Sequence, residues 1–351
     1  MKTTKDRIRQ CIVIAVLCLG ITGCGIHEKD GLIETAIAQI ENYEYEEALA
    51  TLDEAAKAKE EAQAVARYRG IAYAGLTNYE EAAACYLEAL SYSSLFVKDI
   101  DYDLNYYLAD AYEKMGLYEE AKTVYTSILE LRPQETNALF LRGRIYLEEG
   151  LYDLALTDFD RTVSLDKDGY ELRIEIAGLL SGSGYKEEGL QYLQKFLADN
   201  EKKLSDYDKG RIYYYMGDYE KAKVALESAK ADESDDIILM LGKSYEQLGD
   251  FNYATSVYKN YLEDHPESAE IYNQLGLCKM KSGEYEEALS AFRSAANVEN
   301  SGMNQTLEFN QIAAYEYVGN FKQAAVLMEN YLKKYPEDTE ARREYEFLKS
   351  R

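Results

Sequence analysis

Catalysis by side chains needs nucleophiles, acids, bases or metal ligands in set numbers, and this 351-residue chain is short of them. It has two histidines, His27 and His265, in no metal-binding spacing. That is too few for a histidine-based triad or a histidine-ligated zinc site. Of five cysteines, Cys11 and Cys18 lie in an N-terminal apolar run, Cys24 just beyond it, and Cys85 and Cys278 inside helical patterns. The last two read as small packing residues, and no disulfide framework is implied. No strand is expected, so no glycine-rich phosphate loop follows one. The run Asp99-Ile100-Asp101-Tyr102-Asp103 opens like a calcium loop. However, Leu104 stands where the sixth-position glycine belongs and Asp110 where the twelfth-position glutamate belongs. It reads as a solvated helix entry. The expectation is a chain with no enzymatic activity, no cofactor and no metal.

The glycines are spent on something else. Gly116, Gly150, Gly184, Gly217, Gly249, Gly283 and Gly319 are separated by 34, 34, 33, 32, 34 and 36 residues. A period near 34 is that of a helix–turn–helix repeat. Seven residues before the first six glycines stands a small residue: Ala109, Gly143, Ala177, Gly210, Gly242 and Gly276. Nine residues after the glycine stands a bulky apolar one, as in Tyr125, Phe159, Leu193, Leu226, Tyr258, Phe292 and Met328. Tyr112, Tyr146, Tyr213, Tyr245 and Tyr315 lie four before it.

Each position has a physical role. Glycine ends a first helix in the left-handed conformation that other residues resist. Asp218, Asp250 or Asn320 follows it as cap of a second helix. Tyr118, Ala121, Tyr125 and Ile128 then fall three or four apart, so one face of that helix is buried. Small residues let two helices approach, and tyrosines fill the space beside them. The three prolines, Pro133, Pro266 and Pro336, each lie seventeen residues past a repeat glycine. That places them beyond the second helix, where their fixed φ suits the first turn of the next.

The run ILMLGKSY at 238–245, followed by Ala254, Tyr258 and Pro266, resembles the tetratricopeptide signature, with Ile238 where that family usually has tryptophan. The chain has no tryptophan, so its 34 tyrosines must carry the aromatic packing. Gly70, Tyr73, Tyr79, Ala82 and Tyr86 form an earlier copy, and Ala36, Tyr45, Ala48, Leu52 and Ala55 a weaker first one. The fifth copy departs most, with Lys186 for the aromatic and Gly189 for the alanine. The fold expected is all-α: an α-solenoid of about nine helix–turn–helix repeats over residues 29–336. The resemblance makes it a right-handed superhelix. A polar helix at 337–351 reads as the cap of its exposed end.

The N-terminus carries a different message. Lys2, Lys5, Arg7 and Arg9 precede the apolar run CIVIAVLCLGI, which is too short to span a bilayer as a helix. A basic start and a short apolar run read as a secretory signal. Ile21-Thr22-Gly23-Cys24 resembles the lipobox of bacterial lipoproteins, in which cleavage precedes a cysteine whose sulfur carries a diacylglycerol. This implies a signal peptide at 1–23, lipidation at Cys24, and a tether at 24–28 holding the repeats near the membrane on its extracytoplasmic face. Two acyl chains suffice for durable anchoring.

Removing residues 1–23 takes the net charge from −25 to −28, since four positive charges and one negative leave with them. Such acidity excludes a nucleic-acid partner and leaves open a basic protein or peptide. Charges spread over exposed helix faces also keep a solenoid soluble with no specific partner. In tetratricopeptide proteins the first helix of each repeat lines the concave side. The resemblance therefore places Tyr106, Asp110, Phe140, Arg144, Tyr207, Arg211, Tyr214, Lys243, Asn273, Phe309 and Asn310 in a groove. Phe140 with Arg144 and Tyr207 with Arg211, at i and i+4, should each present a ring beside a guanidinium. The function expected is a lipid-anchored scaffold for protein–protein contacts; the alternative is a lipoprotein that stacks a glycan or small solute on groove tyrosines.

Overall fold

The computed structural model describes residues 31–94, 97–232, 234–298 and 303–351. Cys24 and the whole signal-like segment lie outside the described residues. Among the described residues the regular structure is helical. The first five pairs are α1 (Leu32–Glu41) and α2 (Tyr45–Lys57), α3 (Ala62–Gly75) and α4 (Tyr79–Ser91), α5 (Asp99–Lys114) and α6 (Tyr118–Leu131), α7 (Thr136–Glu148) and α8 (Tyr152–Leu165), and α9 (Glu171–Gly182) and α10 (Lys186–Asn200). Four more follow: α11 (Asp206–Met216) and α12 (Tyr219–Ala229), α13 (Asp235–Gln247) and α14 (Phe251–Asp264), α15 (Ala269–Ser282) and α16 (Tyr285–Ala296), and α17 (Asn304–Tyr317) and α18 (Phe321–Lys334). A nineteenth helix, α19 (Thr339–Lys349), closes the series. Nine helix–turn–helix pairs and one further helix match the sequence expectation. They fall into two compact units, one ending at Ala138 and the other running Leu139–Arg351.

The turn chemistry follows the residues. All seven repeat glycines have left-handed backbones, with φ between 75° and 93°. In the first two pairs Tyr43 (φ 65°) and Thr77 (φ 61°) take that place, so neither copy carries a turn glycine. Asp218, Asp250 and Asn320 each accept a hydrogen bond from the backbone N–H three residues on, at 3.3, 3.1 and 3.2 Å. The prolines differ from expectation. Each lies in the turn between helices, three residues before the next helix begins. Their ring instead forces the preceding residue out of the helical region: Arg132, His265 and Tyr335 have φ of −128°, −125° and −126°.

Packing explains the small residues. The alanine five after each turn, Ala48, Ala82, Ala121, Ala155, Ala222, Ala254, Ala288 and Ala324, is fully buried. The glycines at the other small position are seats for the bulky residue sixteen later. A Cβ on Gly242 would lie 2.2 Å from the Tyr258 ring, one on Gly276 2.4 Å from Phe292, and one on Gly70 2.4 Å from Tyr86. The fifth repeat is the same device pushed further. At Gly189 a Cβ would meet the Ala177 carbonyl oxygen at 2.8 Å, so α9 and α10 touch backbone to backbone.

A tyrosine-rich core brings hydroxyls that must be satisfied. Carboxylates do this repeatedly: Tyr125 donates to Glu113 (2.7 Å), Tyr258 to Glu246 (2.8 Å), Tyr245 to Glu227 (2.9 Å), Tyr261 to Asp235 (2.6 Å) and Tyr192 to Asp160 (2.8 Å). Tyr331 donates to Asp338 at 2.7 Å; burial first, then that carboxylate, push its ionisation up to about 12. Part of the chain's acidity is therefore internal architecture.

Candidate protein-binding surface

The residues assigned to a groove all lie on first helices of repeats, but the fold turns them in different directions. Asp110 on α5 is exposed. Arg144, Tyr207, Arg211, Tyr214, Lys243, Phe309 and Asn310 are half-buried. Two assignments are corrected. Phe140 is 6% exposed and tilts against Phe159 at 6.1 Å, so it belongs to the core of its repeat. Asn273 is 7% exposed and accepts from Asn310 at 2.7 Å, joining α15 to α17. Tyr106 is also turned inward in part, tilting on Tyr125 at 6.1 Å. Phe309 tilts on Tyr331 at 5.8 Å, and Tyr214 packs edge-on against Tyr215 and Tyr219.

The ring–guanidinium pairs divide in the same way. Phe140 lies in the core, and the charge of Arg144 acts on Glu175 of α9, opposing the upward push of burial on that carboxyl. Arg211 does sit by Tyr207, 5.6 Å from the ring centroid, and is 5.2 Å from that of Tyr170. It donates to the Tyr170 hydroxyl at 3.1 Å and lies 3.6 Å from Glu171. Tyr170 in turn donates to Asp208 at 2.6 Å. This arginine is held by its neighbours and ties α9 to α11.

A groove that the sequence list omitted lies in the first unit. Its walls are Ile33 and Ile37 of α1, Arg67 and Tyr68 of α3, and Ile100 of α5, three successive first helices. The cavity measures about 520 Å³. Glu60 on its rim is committed, accepting from the N–H groups of Leu32 and Ile33 at 3.0 Å each. Gln63 is committed as well, donating to the Ala89 carbonyl and the Ser93 hydroxyl, both at 3.2 Å. The phase of the repeat could have found this site. Arg67 stands three before Gly70, as Tyr106 stands three before Ala109 and Tyr207 three before Gly210.

The remaining candidates behave as packing or capping groups. Asp101, of the calcium-like run, accepts from the Lys98 N–H at 2.7 Å and from Ser93, while Asp99 pairs with Arg132 at 2.7 Å. Among the described residues no cluster of three metal-type ligands occurs. Cys85 and Cys278 are free thiols, both pushed up to about 11 by burial above all. Val97, two residues before α5 begins, is exposed and outside any helix. No described helix is long and apolar enough to cross a membrane.

The tetratricopeptide repeat family profile matches residues 33–94, 106–170 and 239–302, over half of the chain, and a second profile of that description matches 207–230. The chain belongs to the tetratricopeptide repeat family. It is 27% identical over 190 residues to human (Homo sapiens) tetratricopeptide repeat protein 13, covering 52% of this chain and 22% of that protein. It is 26% identical over 187 residues to the Hsp70-Hsp90 organizing protein of Triticum aestivum, covering 49% of this chain and 31% of that one. The chain thus spans less than a third of either relative's length. Among solved structures, a tetratricopeptide repeat protein from Parabacteroides merdae aligns with a TM-score of 0.43 at 18% identity, covering 80% of this chain and 97% of that one.

Proposed function

We propose that this tetratricopeptide protein is a non-catalytic scaffold that binds protein segments along the first helices of its repeats and is held by lipid on the extracytoplasmic face of a bacterial membrane. The observation that carries the protein-binding part is the groove across α1, α3 and α5, where aliphatic walls meet a guanidinium. Aromatic and arginine side chains of this kind are enriched in protein interfaces. The name of the wheat relative describes an organiser of two other proteins, and a similar adaptor role fits a chain built from one repeat. Assembly of envelope, secretion or pilus complexes, or recruitment of cell-wall enzymes, is the setting this build suits. The partner need not be basic: part of the acidity is committed to tyrosine hydroxyls within the fold.

The anchor rests on Cys24 and the residues before it. Cys24→Ser should leave an uncleaved precursor that incorporates no labelled fatty acid; incorporation at the level of the unsubstituted chain contradicts the lipid assignment. The scaffold reading is checked separately by capture from solubilised membranes. A specific co-purifying protein is expected, whereas thermal stabilisation by peptidoglycan fragments with no protein captured favours a solute binder.

A further inference from the structure

Helix α19 is held by a contact unlike those before it. Elsewhere in the second unit, carboxylates bridge helices by meeting a hydroxyl, an amide or a cation, as Asp235 meets Tyr261 and Glu246 meets Gln274 and Lys281. Glu316 of α17 is instead hydrogen-bonded to Glu344 of α19, carboxyl to carboxyl. An ionised carboxylate only accepts, so one of the two must carry a proton for this bond to exist. Both side chains are half-buried, and neither forms an ion pair with a described residue.

The cations of the surrounding helices are turned elsewhere. Lys279 and Lys281 of α15 pair with Glu284 and Glu246, and Arg293 of α16 donates to the Tyr315 hydroxyl. Lys333 and Lys334 of α18 pair with Glu329 and Glu308. On α19, Lys349 pairs with Glu346 and Arg342 donates to the Pro336 carbonyl, while Arg351 lies over Phe321 and Phe347. Lys322 and Arg343 are exposed. The charged group that acts on Glu316 is Glu344; burial first, then this neighbour, lift the Glu316 carboxyl to about 7. Little else fastens α19. Six of its eleven residues are charged, and its two buried ones, Ala341 and Leu348, join the core that contains Met328 and Tyr331 of α18.

We propose that α19 is a proton-controlled cap, docked while Glu316 and Glu344 share one proton and loosened when both are ionised. Like charges in contact repel, and partial burial adds to the cost of the second ionisation. Opening returns Glu316 to water, so the docked state binds the proton more tightly and rising pH favours the open one. The stabilisation is complete below the ordinary carboxyl value of 4.5 and is lost as pH rises through about 7. An open α19 uncovers the side of α18 on which Ala341 and Leu348 pack. The proposal depends on neither the partner nor the lipid anchor.

The test follows hydrogen exchange of the full chain in detergent micelles from about pH 5 to about pH 9, corrected for the pH dependence of amide exchange itself. Protection of α19 should fall about tenfold or more relative to α14 and α15, a shift discounted for the water around a half-exposed pair. Glu344→Gln imitates the protonated partner, since its amide donates to Glu316 at every pH. Its α19 should stay as protected throughout as that of the unsubstituted chain is at low pH. Glu316→Gln should flatten the profile likewise, whereas a merely structural contact would leave the pH dependence in place. Protection of α19 in the unsubstituted chain that is level or rises with pH overturns the proposal whatever the variants do. Glutamine variants that keep the slope, or that leave α19 unprotected at every pH, overturn it as well.

Discussion

Glu246→Ala should destabilise the second unit by about 3–5 kcal/mol, the combined cost of two stranded buried donors and a cavity. The Glu246 side chain is 1% exposed and receives three donors from two other helices. Tyr258 of α14 donates at 2.8 Å, and Gln274 and Lys281 of α15 donate at 2.8 and 2.7 Å. Alanine strands the buried Tyr258 hydroxyl and the Gln274 amide, each costing about 1–3 kcal/mol, and leaves a cavity as well. Lys281 is half-exposed and turns to water, so it adds little. Glu246→Gln should cost less, because its amide oxygen still accepts. Repeat arrays open locally, so hydrogen exchange is the suitable measurement. Amides of α13, α14 and α15 should exchange more than about a hundredfold faster. A change below about tenfold contradicts the role given to this carboxylate.

Gly189→Ala should also destabilise, although alanine is the better helix former by about 1 kcal/mol. The new Cβ would lie 2.8 Å from the Ala177 carbonyl oxygen and 3.0 Å from its Cα. Both are backbone atoms, so no side chain can swing aside and α9 must part from α10. Overpacking of this sort typically costs about 1–3 kcal/mol, which outweighs the propensity gain. Exchange should rise in α9 and α10 and the melting temperature fall. A melting temperature that rises shows that the helices can separate freely and refutes the contact.

Most of the repeat was legible because each position has a local cause. The turn glycines, the caps at Asp218, Asp250 and Asn320, and the buried alanines follow from backbone geometry and periodicity. A subtler pairing was present but unread, although it does not extend to Tyr86, where the residue twelve earlier is Ala74. Where the bulky residue of the second helix is Tyr125 or Tyr258, the residue twelve earlier is its acceptor, Glu113 or Glu246. Where it is Phe159 or Phe292, that residue is Leu147 or Met280, with no hydroxyl to satisfy. The surface was harder to read. Spacing places Phe140 and Tyr207 at one phase, but helix crossing decides that Phe140 turns into the core while Tyr207 stays half-buried beside Arg211. In the fifth repeat, Gly189 looked like decay of the pattern and is the site where two helices touch backbone to backbone.

The central claim, that first helices carry the protein-binding surface, is tested most directly by site-specific photocross-linking in native membranes. A photoreactive residue replaces Tyr68 on α3 in the groove, or Leu87, exposed on the paired helix α4. Discrete protein adducts from position 68 and none from position 87 are the result expected. Adducts from position 87 alone, equal adducts from both, or none from either would contradict the account.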